Sequence, residues 1–139
     1  MMESYETHQA LVAQVSKSEG GIKLESLVYV VDPGIAVHPD QIVAQIQSGA
    51  VSGLINTLRS KVTLKGGRVQ QSNFNDFPLL RMNQMPRIEV VVLQGGDKPG
   101  GMGEVGVPLV APAIANAVFA LTGQRIRSLP LVDSRIEFV

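Results

Sequence analysis

Apolar residues crowd two early stretches of the chain and then change to a helical spacing. Residues 8–16 are rich in apolar and β-branched side chains, and Ser18-Glu19-Gly20-Gly21 makes a turn. Residues 22–31 follow, carrying Ile22, Leu24, Leu27, Val28, Tyr29, Val30 and Val31. Two such runs around a glycine turn predict a β-hairpin. Residues 27–31 have no polar interruption, which predicts a strand buried on both faces. Asp32-Pro33-Gly34 ends it, and a helix is predicted from Pro39 to about Leu58. Proline near a helix start costs little, and Asp40 suits the positive end of the helix dipole. Ile42, Ile46, Leu54, Ile55 and Leu58 form its apolar stripe. Gly49 and Gly53 interrupt the stripe four residues apart and, with Ser52, leave one face bare. Glycine inside a helix costs roughly 0.5–1 kcal/mol relative to alanine. The plain explanation is close packing against a strand or helix; the functional one is a bulky group lying across that face.

Residues 61–65 and 68–71 flank Gly66-Gly67, a second hairpin signal. Residues 72–86 are turn-rich and irregular, and residues 88–93 form a strand dense in β-branched side chains. A glycine-rich loop leads into a second helix, with Ile114, Ala117, Val118 and Leu121 on one side and Gly123 as its stop. This helix is apolar nearly all round, which predicts burial on most sides. Residues 125–131 read as an extended exit, and the tail to Val139 offers at most one more strand. The order β-β-α, hairpin, β-α predicts a two-layer α+β fold. It has one mixed or antiparallel sheet with two helices on one face, in a single domain over residues 1–139.

Composition narrows the function. Hydrophobic residues make up 45% of the 139 and charged ones 17%, below the roughly 25% usual for soluble domains. Part of the surface is therefore expected to be covered by a partner. The formal net charge is zero and there is no Trp, so neither a basic field nor a stacking platform for nucleic acid exists. With no Cys, the chain offers no disulfide, no iron–sulfur ligation and no thiolate zinc site. His8 and His38 alone make no metal motif. No run of about 18 apolar residues occurs, so no membrane span is expected. The chain opens abruptly, almost within a strand, as a piece of something longer would.

Six of the 14 glycines fall between Gly95 and Gly106, around a lone glutamate, Glu104. Gly101-Met102-Gly103-Glu104-Val105-Gly106 fits the dinucleotide pattern G-x-G-x-x-G. Three details refuse it. Glu104 would face a pyrophosphate, Pro108 and Pro112 interrupt the required helix, and no acidic residue follows at the ribose-binding distance. Glu104 has only glycine and apolar neighbours, so either it caps the following helix from Val107 onward or it does chemistry. A base needs a carboxylate set apart from other charges and shielded from water.

Several ordered motifs carry a resemblance. They are Gln41-Ile42-Val43-Ala44-Gln45-Ile46-Gln47-Ser48-Gly49-Ala50-Val51-Ser52-Gly53-Leu54, Gly67-Arg68-Val69-Gln70-Gln71-Ser72-Asn73-Phe74, Leu79-Leu80-Arg81-Met82, Pro99-Gly100-Gly101-Met102-Gly103-Glu104 and Ala111-Pro112-Ala113-Ile114-Ala115-Asn116-Ala117. Together they resemble the molybdopterin-binding subunit of the xanthine dehydrogenase and aldehyde oxidase family, over its C-terminal portion. The resemblance implies a fragment of an oxidoreductase that hydroxylates N-heterocycles or aldehydes with oxygen from water. Glu104 would be the catalytic base. Gln45, Gly101 and Gly103 would lie on the cofactor side, although Ser48-Gly49 departs from the family's usual Gly-Gly or Gly-Ala. No residue of the chain is assigned to a metal. Molybdopterin is expected in the complete enzyme and none in this chain alone. The implied partners are the remainder of the molybdenum subunit, an iron–sulfur subunit and a small aromatic heterocycle or aldehyde. The alternative is a non-catalytic stand-alone domain that self-associates as a homo-oligomer. Cytoplasmic and periplasmic placement both stay open.

Overall fold

A computed structural model describes residues 1–134 and Phe138. Three antiparallel strands open the chain: β1 (Met2–Ser4), β2 (Thr7–Ser18) and β3 (Gly21–Asp32). Helix α1 (Pro39–Leu58) then crosses over, and β6 (Arg87–Val92) returns parallel to β3. The result is one mixed sheet in the order β1-β2-β3-β6. Between α1 and β6 the chain makes an excursion, on which β4 (Leu64–Lys65) and β5 (Arg68–Val69) pair as a separate small hairpin. Gly66 and Gly67 both adopt positive φ at its tip, 57° and 76°, the conformation this tight turn demands. Helix α2 (Val110–Thr122) completes the second layer and stops at Gly123 in the left-handed region.

The α+β architecture expected from the residue pattern is the one observed, with both helices on one face of the sheet. Leu27, Tyr29 and Val31 of β3 meet Ile46, Ala50 and Leu54 of α1 and Val110, Ile114 and Val118 of α2, all fully buried. A register shift between Gln14 and Val15 changes which β3 residues point inward, from Ile22 and Leu24 to Leu27, Tyr29 and Val31. Such bulges let one strand keep its apolar set on the core side. The start of α1 follows its sequence: Pro39 occupies the first turn and His38 Nδ1 accepts from the Gln41 N–H at 3.3 Å.

Four expectations need correction. Residues 27–31 are covered on one face only: Val28 and Val30 stay half-buried, and beside them Val12 is 67% and Val91 48% exposed. Among the described residues this outer face is shielded by cross-strand apolar contact but by no second layer. Helix α2 buries only Val110, Ile114 and Val118, while Phe119 lies at the surface under the Arg125 guanidinium, 3.6 Å from its ring centre. The helix also begins at Val110, later than Val107, after a run of turns. Finally, β1 precedes the expected hairpin and pairs with β2 through Met2–Gln9, Glu3–His8 and Ser4–Thr7. After Gly123 the chain is irregular until a 3₁₀ turn at Leu131–Ser134, where Leu131 enters the core. The further strand offered by the tail falls mostly outside the described residues. No described helix is long and apolar enough to cross a membrane.

Candidate functional site

The glycine-rich loop between β6 and α2 is anchored at successive points. The Asp32 carboxylate, at the end of β3, accepts the N–H groups of Gly95 and Gly34, each at 2.9 Å. Those donors, Gly95 first, hold its carboxyl below the usual carboxylate range. Next, the Ile35 N–H donates to the Lys98 carbonyl at 3.2 Å and the Gly100 N–H to the Pro33 carbonyl at 2.7 Å. Gly101 then turns to the other side: its N–H donates to the Tyr5 carbonyl at 2.8 Å, and its own carbonyl accepts from Thr7 Oγ1 at 2.9 Å. Two glycines are required by these approaches. A Cβ on Gly100 would meet Thr7 Oγ1 and the Glu6 carbonyl, and one on Gly101 would lie 2.9 Å from Tyr5 Cβ.

The loop is anchored again at Gly106, which is buried against α1. A Cβ on Gly49 would stand 2.9 Å from Gly106 Cα, and one on Gly53 would stand 2.6 Å from Val110 Cγ2. The bare face of α1 is therefore filled by this chain's own loop and by α2. Close packing explains both glycines, and no cofactor or neighbouring domain is needed on that face.

Between the two anchors lie Met102, Gly103 and Glu104. Gly103 has no atom within 4 Å of where a Cβ would stand. Glu104 is exposed, and its carboxylate makes no hydrogen bond or ion pair among the described residues. Only its backbone carbonyl is engaged, accepting from the Val107 N–H at 3.1 Å. Helix α2 has Leu109 as its N-cap and no side-chain cap, so Glu104 does not cap it. The expectation of a water-shielded carboxylate also changes, since nothing among the described residues covers it.

Gln45 projects from the exposed side of α1 into the wall of a cleft of about 180 Å³. Ile35, Val37, His38, Gly100 and Met102 also line this cleft. The fold thus brings Gln45 to the glycine loop, whereas Gly101, Gly103 and Glu104 lie outside the cleft's lining. The cleft is smaller than the roughly 300–1,000 Å³ of complete small-molecule sites. It is largely apolar, with two glutamine amides, Gln41 and Gln45, able to donate and accept. That donor set fits one edge of a flat, polar-rimmed heterocycle such as a pterin, and not the whole of it. Thr7 and the Tyr5–Glu6 turn escaped sequence reasoning, because a threonine 94 positions before Gly101 carries no local signal of the contact.

No family model matches the sequence. Over 126 residues, 89% of this chain, it is 38% identical to isoquinoline 1-oxidoreductase subunit beta of Brevundimonas diminuta and covers 16% of that protein. It is 35% identical over 127 residues, 90% of its length, to the membrane-bound aldehyde dehydrogenase of Gluconacetobacter polyoxogenes, whose name carries pyrroloquinoline quinone. Again 16% of the relative is covered. The aldehyde oxidoreductase of Desulfovibrio gigas matches with a TM-score of 0.74 at 20% identity, over 89% of this chain and 14% of that one, a similarity of fold. The chain thus spans about a sixth of the length of the curated relatives it matches.

Proposed function

We propose that this chain, homologous to part of the beta subunit of isoquinoline 1-oxidoreductase, supplies the active-site base and one wall of the cofactor site in a larger molybdenum hydroxylase. Its relatives are named as oxidoreductases or dehydrogenases of isoquinoline, aldehydes and nicotinate, and its fold is shared with a CO dehydrogenase named for copper and molybdenum. The observation that carries the reading is Glu104. Its carboxylate has no hydrogen bond or ion pair among the described residues, and it stands beside an open glycine in a loop anchored at Gly101 before it and Gly106 after it. A solvated surface glutamate would need no such scaffold.

Molybdopterin would supply the metal centre at which a carbon–hydrogen bond of the substrate is oxidised. This chain's contribution is narrower. Gln45 would hold the pterin edge through its amide, Gly101 would keep the loop against the sheet, and Gly103 would admit a close approach to the backbone. Glu104 would accept the proton as oxygen is added to a small aromatic heterocycle or aldehyde. The polypeptide that completes the site would also cover Glu104 and exclude water from it. Electrons would leave through an iron–sulfur partner, since this chain has no Cys with which to ligate a cluster.

Glu104→Gln in the complete enzyme tests the reading, because the swap keeps shape and removes the base. Turnover should fall by at least about 100-fold at unchanged molybdenum content. Near-normal turnover would remove the proposal. The open sheet face around Val12, Val28, Val30 and Val91 favours a second reading, a non-catalytic domain that self-associates. Light scattering bears on the second: a stable oligomer of this chain that is indifferent to pterin supports it, and a monomer removes it.

A further inference from the structure

Thr7 opens β2 and is fully buried. Its hydroxyl donates to the Gly101 carbonyl at 2.9 Å and touches Met102 Sδ at 3.9 Å. Both backbone polar groups of Gly101 are therefore held by one turn, the carbonyl by Thr7 and the N–H by Tyr5. That turn is itself unusual. Tyr5 and Glu6 have φ of 54° and 63°, a region that is costly for residues with a side chain and persists only where surroundings enforce it. After Gly101 the next backbone restraint is the bond from the Val107 N–H to the Glu104 carbonyl. Gly101 is thus the last fixed point before Glu104, and Thr7 is its only side-chain anchor among the described residues.

We infer that Thr7 is a positioning residue: its hydroxyl sets where the loop holds Glu104 for proton transfer, an inference that rests on the reading of Glu104 given above. The physical ground is leverage. A carboxylate displaced by about 1 Å can lose up to about 100-fold in rate; Gly103 has no side chain to anchor it, and Met102, partly buried against the core, meets the same Thr7 hydroxyl through Sδ. The hydroxyl is the active part. Valine would fill the same volume and leave the Gly101 carbonyl unpaired, whereas serine would keep the donor.

The experiment uses the complete enzyme with Thr7→Val, Thr7→Ser and Glu104→Gln. Thr7→Val should lower kcat about tenfold with KM within about twofold, and Thr7→Ser should restore kcat to within about threefold. Peptide-resolved hydrogen exchange on the same enzymes should show the 99–106 segment opening faster in Thr7→Val and not in Thr7→Ser. A residue that only supported the fold would lower yield or thermal stability without this split and without rescue by serine. Normal kcat in Thr7→Val, in an enzyme that Glu104→Gln inactivates, overturns the inference and leaves the role of Glu104 standing. Unchanged loop exchange in Thr7→Val overturns it as well. Normal turnover in Glu104→Gln would instead remove the underlying reading.

Discussion

The Tyr29 hydroxyl donates a 2.7 Å hydrogen bond to the Gly106 carbonyl in the buried centre of the molecule. This bond joins β3, an inner strand of the sheet, to the far end of the glycine loop, 77 residues away. The loop is consequently held at Gly101 by the β1–β2 turn and at Gly106 by the core. Glu104 stands between two fixed points.

Removing that hydroxyl should be costly. Tyr29→Phe leaves the Gly106 carbonyl buried and unpaired, a loss of about 1–3 kcal/mol. Burial also pushes the Tyr29 phenol up from its ordinary value, because an unsolvated phenolate is disfavoured. A folded-state pKa above the unfolded value of about 10 means the contribution is fully present below pH ~10 and is lost as pH rises beyond it. Urea unfolding at stepped alkaline pH should show this decline in the native chain and a flatter profile in Tyr29→Phe.

Much of this arrangement is legible in the residues. The hairpin of β2 and β3, helix α1 with its proline start, the Gly66-Gly67 turn, β6 and the Gly123 stop all follow from period and turn chemistry. What is not legible has no local signature. Strand β1 is three residues long, and its turn uses Tyr5 and Glu6 in conformations that usually call for glycine or asparagine. The bare face of α1 was visible from Gly49 and Gly53, but not that Gly106 and Val110 would fill it. Likewise, the run 27–31 records apolarity without recording whether this chain supplies the second cover.

The glycines of the loop and of α1 should divide by what they touch. Gly49→Ala would place a methyl 2.9 Å from Gly106 Cα and 3.1 Å from its carbonyl carbon. Backbone cannot rotate aside, so the helix-propensity gain of about 1 kcal/mol should be outweighed, for a net loss of about 1–3 kcal/mol. Gly103→Ala meets nothing within 4 Å and should change stability by no more than about 0.5 kcal/mol. If Gly103 admits the cofactor, the same variant in the complete enzyme should retain less molybdopterin. Equal cofactor retention in both proteins would remove Gly103 from the site.

Asp32 should govern the acid limb of stability together with Glu25 and Asp76, whose carboxyls are also held low by hydrogen-bond donors. The sign follows from depression of the folded-state pKa. The contribution is present above the unfolded value of about 3.9 and is lost as pH falls through the lower folded value. Asp32→Asn keeps an acceptor for Gly34 and Gly95 but removes the charge. Unfolding midpoints measured from about pH 6 down to about pH 2 should fall less steeply than in the native chain. An unchanged slope would show that the two N–H donors do not select the ionised form.

Gln9 poses the opposite problem. It lies on the inner face of β2 between Thr7 and Leu11, paired across the strands with Val31 and Met2, and is 2% exposed. Neither amide atom has a hydrogen-bond partner among the described residues. An unpaired buried amide costs about 1–3 kcal/mol, whereas methionine matches its length and adapts to irregular packing. Gln9→Met should therefore stabilise this chain by about 1 kcal/mol, raising Tm by roughly 3–5 °C. The same substitution in the complete enzyme asks a different question. If the amide is retained because the remaining polypeptide delivers a polar group to it, activity should fall while the thermal midpoint of the isolated chain rises. A stability gain in both settings with full activity would mark Gln9 as a tolerated flaw of the core.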